Sequence, residues 1–134
     1  MPNRSTAAPS QSMIDIHIAK SLAVSYGVED YTGLFELIWG LNTHYPEVDA
    51  ETKVRAADKA MRSLLDAGHV QLHESRQEGP TEETLTIEAA LRLLDDPAVW
   101  KPPLERTGLP VPIHWFSATE AGGGALERRE YESL

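Results

Sequence analysis

One stretch of the sequence constrains the fold more than any other. In it, the spacing of apolar residues changes abruptly from the pattern of a helix to the alternation of a strand. Its apolar residues recur at alternating steps of four and three, as Ala50, Val54, Ala57, Met61 and Leu64. Asp49 is placed to cap the first turn, and Gly68 supplies the left-handed residue that ends many helices. Beyond the glycine, apolar and polar residues alternate as in a strand with one wet face. The sequence therefore predicts a helix over residues 50–67 that turns directly into a strand over 69–74.

Two more helices are predicted before this one. In the first, isoleucines and a leucine one turn apart follow a cap-like Ser12-x-x-Asp15 pattern. This pattern predicts a helix over residues 13–25 that ends near Gly27. The alternation of isoleucine with polar residues over 14–18 also fits a strand, so the sequence leaves that alternative open.

Asp30 is placed to cap the second of these helices. Its apolar residues at helical spacing are Tyr31, Leu34, Phe35, Ile38 and Leu41, and Leu37 and Trp39 widen the same face. We therefore expect this helix to be largely buried. It should stop by residues 44–46, because the residue before Pro46 is pushed out of the α region.

The pattern is less regular in the second half of the chain. Residues 75–83 form a predicted acidic loop, after which Thr86 caps a predicted short helix. The buried stripe of that helix is expected to be Ile87, Ala90, Leu91 and Leu94. Pro97 ends the helix or starts a further turn that carries Trp100. Four prolines and a glycine predict irregular structure over 101–112.

The last predicted strand covers residues 111–119, where β-branched and aromatic residues are frequent. We expect it to pair with the strand over 69–74. The triple glycine at 122–124 should interrupt any helix that begins at Thr119 and leave 125–134 as a charged tail.

Chain length limits this pattern to a single domain of the α+β class, helix-rich with a small antiparallel sheet. The 134 residues can bury one sizeable core but not two. Residues 1–11 have nothing to bury and are predicted to be a disordered arm. The domain is expected over 12–122 with an insertion at 75–110, followed by the charged tail at 123–134.

Composition excludes several classes of protein. The absence of cysteine excludes disulfides, thiolate metal sites, iron–sulfur clusters and a cysteine nucleophile. No apolar run approaches the roughly 20 residues needed to span a bilayer. The polar start of the chain carries only Arg4 and lacks the pattern of a secretory signal. We therefore expect a cytoplasmic protein without a membrane partner.

The order of helix, helix, amphipathic helix, glycine turn, strand and later strand resembles that of a winged-helix domain. Residues 60–72 look like the third helix of that family running into its first wing strand, and 115–122 resemble the second wing strand and the turn after it. The resemblance covers about residues 31–122. In contrast to the short wing loop of the family, about forty residues separate the two strands here. The resemblance thus implies a decorated variant whose recognition element is the 50–67 helix.

If that helix recognises DNA, its candidate contacts are Arg55, Lys59 and Arg62, which form one row opposite the apolar stripe. Acidic residues four positions away, at Glu51, Asp58 and Asp66, are placed to neutralise the row. The formal charge of −9 also repels nucleic acid.

Two other groups of residues suggest ligand sites. His69 and His73 share one predicted strand face, and His114 joins them if the strands pair, which suggests a zinc site or an exposed polar face. The aromatic residues that suggest either a small-molecule pocket or the core itself are Tyr31, Phe35, Trp39, Trp100 and Trp115.

No motif in the sequence carries a recognised reaction. The glycines at 122–124 lack the order of a phosphate loop, and Asp95-Asp96 is explained by the end of a helix. We therefore expect a non-enzymatic interaction module, without catalytic, cofactor-binding or metal-binding residues, that self-associates or docks to another protein. The alternative is a DNA-binding transcriptional regulator, and a third hypothesis is an enzyme or ligand binder that uses the histidine face.

Overall fold

The computed structural model describes residues 14–75, 82–101 and 113–132. These residues form the five α-helices α1 (Ile16–Glu29), α2 (Leu34–His44), α3 (Ala50–Asp66), α4 (Ile87–Leu93) and α5 (Glu120–Glu127). Their four strands are β1 (Thr32–Gly33), β2 (Val70–Ser75), β3 (Glu82–Thr84) and β4 (Ile113–Ala118). A 3₁₀ turn, Pro97–Trp100, follows α4. The protein therefore belongs to the α+β class, as predicted.

The strands form one antiparallel sheet in the order β1-β4-β2-β3. The predicted pairing of β2 with β4 is confirmed, with a register that runs from Val70 opposite Ala118 to Ser75 opposite Ile113. Neither edge strand was predicted from the sequence. β1 has only two residues, and β3 lies where the acidic loop was expected.

The core lies between the helices and one face of the sheet. Fully buried side chains come from α1 (Ala19, Ala23, Val24), α2 (Leu37, Leu41), α3 (Ala57, Ala60, Met61) and the two central strands (Leu72, Phe116). The 3₁₀ turn adds Val99 and Trp100, which are 3% and 4% exposed. The described part of the insertion is therefore built into the core of the domain.

Helix α3 forms as the sequence predicts. The Asp49 carboxylate accepts a hydrogen bond from the Thr52 N–H at 2.7 Å, and Gly68 has a φ of 76°, in the left-handed region. Leu64 and Leu65 are each 1% exposed. The aliphatic side of α3 is thus packed in the core, and the chain turns at once into β2.

Helix α1 confirms the helical alternative for its segment but has different ends. It is capped by Asp15, whose side chain accepts from the His17 N–H at 2.9 Å, and Ser12 lies outside the described residues. The prediction that the helix stops near Gly27 was wrong, because α1 continues to Glu29. A Cβ at Gly27 would come within 2.7 Å of the Ala118 nitrogen, so this glycine allows α1 to approach β4.

The predicted start of α2 was also wrong. Asp30 does not cap the helix, because Thr32 and Gly33 pair with β4 before the helix begins at Leu34. Glu36 accepts the Gly33 N–H at 2.7 Å and so satisfies the first turn. The end at His44 agrees with the prediction.

The triple glycine at 122–124 does not interrupt the helix that begins after Thr119, in contrast to the prediction. It lies inside α5, which Thr119 caps by accepting from the Gly122 N–H at 3.1 Å. A Cβ at Gly122 would overlap the His69 carbonyl oxygen, so close packing favours glycine there. Ala125 and Tyr131 are buried, and the ordered fold therefore extends into the predicted tail.

The predicted short helix and the turn after it are both present, as α4 and the 3₁₀ turn. Thr86 caps α4 by accepting from the Ala89 N–H at 3.1 Å. Ile87 departs from the expected buried stripe and is 48% exposed. The predicted arm at 1–11 and most of the proline-rich stretch at 101–112 lie outside the described residues. Within the described ranges, no helix has the length and apolar character to cross a membrane.

Candidate functional site

Two aromatic side chains stand out because they are exposed in a chain whose other large rings are mostly covered. Tyr31 is 47% exposed and Trp39 is 54% exposed. In contrast, Trp100, Phe116 and Tyr131 are each at most 6% exposed. Large exposed aromatic side chains are typical of binding surfaces, since Trp and Tyr contribute strongly to protein interfaces.

Tyr31 and Trp39 line the same cavity, which has a volume of about 420 Å³. We call this cavity the aromatic groove. It lies where the end of α1 and the turn into β1 meet one face of α2, from Glu36 to Thr43. Its lining residues are Tyr26, Glu29, Asp30, Tyr31, Thr32, Glu36, Trp39, Gly40 and Thr43.

Local contacts hold the walls of the groove in place. The Trp39 ring meets the Phe35 ring edge-on, with centroids 4.8 Å apart. A Cβ at Gly40 would overlap the Tyr26 hydroxyl, so Gly40 leaves the space that the Tyr26 ring occupies beside α2. The Thr32 hydroxyl donates to the Tyr26 carbonyl at 3.1 Å, which ties β1 to the end of α1.

The Tyr31 wall is anchored on the sheet through His73. Their rings stack at 4.7 Å with an interplanar angle of 3°. The two imidazole nitrogens contact the hydroxyls of Thr84 (2.9 Å) and Ser117 (2.8 Å), on the strands to either side of β2. His73 is therefore a brace across β3, β2 and β4 that also supports the groove.

This geometry corrects the predicted histidine face. His73 is only 3% exposed, because Tyr31 and the neighbouring strands cover it. His114 pairs with Glu74 in the register and contacts its carboxylate at 3.1 Å. The neighbouring pair is His73 with Trp115, and because successive positions of a strand point to opposite faces, His114 and His73 lie on different faces of the sheet. His69 contacts the Tyr131 hydroxyl. The structure thus separates the three histidines, and the described residues contain no group of three or more His or acidic residues arranged to hold a metal.

The charges that line the groove are all acidic among the described residues. Glu29 and Asp30 are exposed, and Glu36 is half-buried. One oxygen of Asp30 accepts a hydrogen bond from the Tyr31 N–H at 2.7 Å, and this bond fixes the position of the carboxylate. The hydrogen bond from the Gly33 N–H fixes Glu36 in the same way. No Lys, Arg or His of the described ranges lines the groove. Its electrostatic potential is therefore negative beside the exposed ring of Trp39.

A larger cavity of about 760 Å³ runs along α5, but its chemistry is less specific. Four of its nine lining residues are alanine or glycine, and Val28 is its largest apolar side chain. Its charged residues are Glu120, Glu127 and Arg128. Because it lacks aromatic anchors and has mixed charge, the aromatic groove is the better candidate site.

The predicted DNA-contact row on α3 is largely engaged in ion pairs. Arg55 pairs with Glu51 at 2.8 Å, as the spacing predicted. Arg62 bonds both Asp58 and Asp95 at 2.9 Å, and these hydrogen bonds raise the pKa of its guanidinium. The second ion-pair partner of Arg62 is therefore Asp95, which follows α4, whereas the sequence predicted Asp66. Lys59 is exposed, without an ion pair to any residue in the described ranges.

The predicted aromatic cluster is brought together only in part. Tyr31 and Trp39 line the groove, and Phe35 supports it through its contact with Trp39. Trp100 is buried in the core, and Trp115 is half-buried on β4 opposite His73. Sequence reasoning missed Tyr26 and the three carboxylates. The step of four from Phe35 to Trp39 within α2 was a visible signal, whereas Tyr31 lies before β1 and outside that helix.

Comparison with known proteins does not assign the chain to a family. No protein-family model matches the sequence, and no match is found among curated proteins or among solved structures.

Proposed function

We propose that this chain is a non-enzymatic interaction module of winged-helix type that docks another protein through the aromatic groove. The observation that carries the proposal is that both half-exposed aromatic side chains, Tyr31 and Trp39, line one concave site. A partner side chain in this site would remove a large apolar area from water, which is the main source of energy at protein interface hot spots.

The order of elements supports the winged-helix part of the proposal. In the described part of the chain, three helices precede the Gly68 turn, and β2 and β4 pair as the two wing strands would. The insertion adds β3 at the edge of the sheet and buries Trp100 in the core. Because Trp100 is covered, the insertion supports the fold in this proposal, and docking is assigned to the groove.

Charge favours a different protein over a second copy of this chain as the partner. In a symmetric dimer formed groove to groove, the same patch of each copy would face the other. Glu29, Asp30 and Glu36 would then lie opposite their own counterparts, and like charges across an interface are unfavourable.

The second candidate function is DNA binding through α3, favoured by the exposed Arg55 and Lys59. The net charge of −9 and the ion pairs of Arg55 and Arg62 weigh against it. It predicts DNA retardation at low salt that is lost in Arg55→Ala, and absence of any retarded DNA would refute it.

Docking is tested by comparing proteins captured by the wild type, Trp39→Ala and a matched control. Ile87→Ala is the control, because Ile87 is a 48% exposed apolar residue of α4 that does not line the groove. We expect a partner that binds the wild type and Ile87→Ala but not Trp39→Ala. Thermal melting should show all three folded, since both changes are at exposed positions. Identical sets of captured proteins for all three variants would refute docking through the groove.

A further inference from the structure

We infer that the groove takes a cationic side chain, with arginine preferred over lysine, from a basic segment of the partner. This inference rests on the proposed function, because it names the chemistry of the occupant of the same site. Its basis is the combination of an exposed indole with three carboxylates that line the same cavity, Glu29, Asp30 and Glu36.

The exposed ring of Trp39 supplies the first half of this recognition. A cation placed over an aromatic face is attracted by the negative charge of the π system, and tryptophan gives the strongest attraction. Trp39 is held edge-on by Phe35 at 4.8 Å, so the ring is oriented before a ligand arrives. The cavity of about 420 Å³ has room for one long side chain.

The carboxylates supply the second half. Asp30 and Glu36 are positioned by backbone N–H groups at 2.7 Å, and each carboxylate has further acceptor sites that a ligand can use. An apolar or acidic segment would bury these carboxylates without an opposite charge, which is unfavourable. A guanidinium satisfies both requirements, since its plane stacks on the indole while its N–H groups donate to carboxylates in that plane.

The same charges argue against two other classes of partner. Phosphates of a nucleic acid and the anionic headgroups of a membrane would both meet carboxylates at the rim of the groove. The described residues also lack a group of ligands able to hold a metal ion. A basic protein segment is therefore the occupant that the chemistry of the groove favours.

The test is a titration of the full chain with four short synthetic peptides that differ only at the central residue of Gly-Ser-X-Ser-Gly, with blocked ends. The central residues are arginine, lysine, citrulline and glutamate. Citrulline keeps the shape of arginine without its charge. Binding is followed by NMR through the indole N–H of Trp39 and the backbone N–H of Gly40, which also lines the groove and remains in Trp39→Ala. The titration extends to about 10 mM peptide so that weak affinity is detected.

We expect the arginine peptide to shift the Trp39 signal, the lysine peptide to do so more weakly, and the other two to have no effect. Trp39→Ala should weaken arginine binding at least about tenfold. Glu29→Gln and Asp30→Asn should each weaken it about threefold, and added salt should reduce it further. Glu88→Gln is the matched control, because Glu88 is an exposed acid on α4 away from the groove, and it should leave binding unchanged.

The outcomes separate the two proposals. If a captured partner depends on Trp39 but the arginine and citrulline peptides behave alike, the cationic occupant is wrong and docking stands. If neither a captured partner nor any peptide depends on Trp39, both are wrong. If light scattering shows a dimer that Trp39→Ala dissociates, the occupant is a second copy and the basic partner is overturned.

Discussion

Adjacent glycines of α5 should respond in opposite directions to the same substitution. Replacing glycine by alanine inside a helix stabilises it by about 1 kcal/mol, because alanine loses less backbone entropy on folding. Neither Gly122 nor Gly123 has a positive φ, so alanine meets no strain of backbone conformation at either position. The difference between them must come from what the new Cβ touches.

At Gly123 the added Cβ would lie 3.7 Å from Cγ2 of Val28, which is an ordinary contact. We therefore expect Gly123→Ala to raise the free energy of unfolding by about 0.5–1 kcal/mol. At Gly122 the Cβ would overlap the His69 carbonyl, which accepts the Thr119 N–H at 3.0 Å. The backbone must then move, at a cost of about 1–3 kcal/mol, and the hydrogen bond worth about 1 kcal/mol is weakened. After the gain in helix propensity, Gly122→Ala should destabilise the protein by about 2 kcal/mol.

Urea denaturation followed by circular dichroism measures both variants against the wild type. The two should differ by about 3 kcal/mol, which corresponds to roughly 10 °C in Tm for a domain of this size. Equal stabilisation by both alanines would mean that Gly122 is not packed against the turn before β2. In that case the explanation of the glycine-containing helix would be wrong.

Two further predictions concern single side chains. His73→Phe should lower the free energy of unfolding by about 2 kcal/mol, because it removes two buried hydrogen bonds. The matched control is Gln71→Ala, at an exposed position of the same strand, which should change this free energy by less than about 0.5 kcal/mol. Urea denaturation measures both. Equal effects would refute the cross-strand brace. The side-chain hydrogen bond from Thr52 lowers the pKa of Asp49, so the stabilisation from this ionised cap is present above the ordinary pKa of the carboxyl and is lost as the pH falls through the lowered value. The stability difference between the wild type and Asp49→Asn should therefore shrink in acid, and a difference independent of pH would contradict this role.

Helices and strands were predicted well where the interactions that form them lie within the segment itself, and poorly where those interactions come from distant parts of the chain. Helix α3 was predicted nearly to the residue because its stripe, its Asp49 cap and its Gly68 stop all lie within the segment. β1 could not be predicted in this way, because two residues have no period and the strand exists only through its pairing with β4. The triple glycine was misread because its helix depends on close packing against His69, a contact that local propensity does not contain.

The candidate site was predictable to a smaller extent. The spacing of Tyr31, Phe35 and Trp39 was visible, but a helical stripe of aromatics normally indicates a buried face. Pairing of β1 removes Tyr31 from the helix, and this is why Tyr31 lines the groove with Trp39 instead of continuing the stripe into the core. Likewise, the alternation in β2 predicts which residues share a face but not that Tyr31 covers His73.

The insertion between β2 and β4 links the fold to the proposed function. Its described residues bury Val99 and Trp100 in the core, and the same segment supplies Asp95 to Arg62 on α3. In a winged-helix DNA binder, an unpaired arginine on this helix would be available for phosphate. Here Arg62 is paired with Asp58 of its own helix and with Asp95 of the segment that completes the core. If the proposed winged-helix relation holds, this one insertion contributes both to the larger core and to the weaker case for DNA. The exposed aromatic and acidic residues lie instead around the groove of α1, β1 and α2, and this separation supports docking of a basic protein segment there.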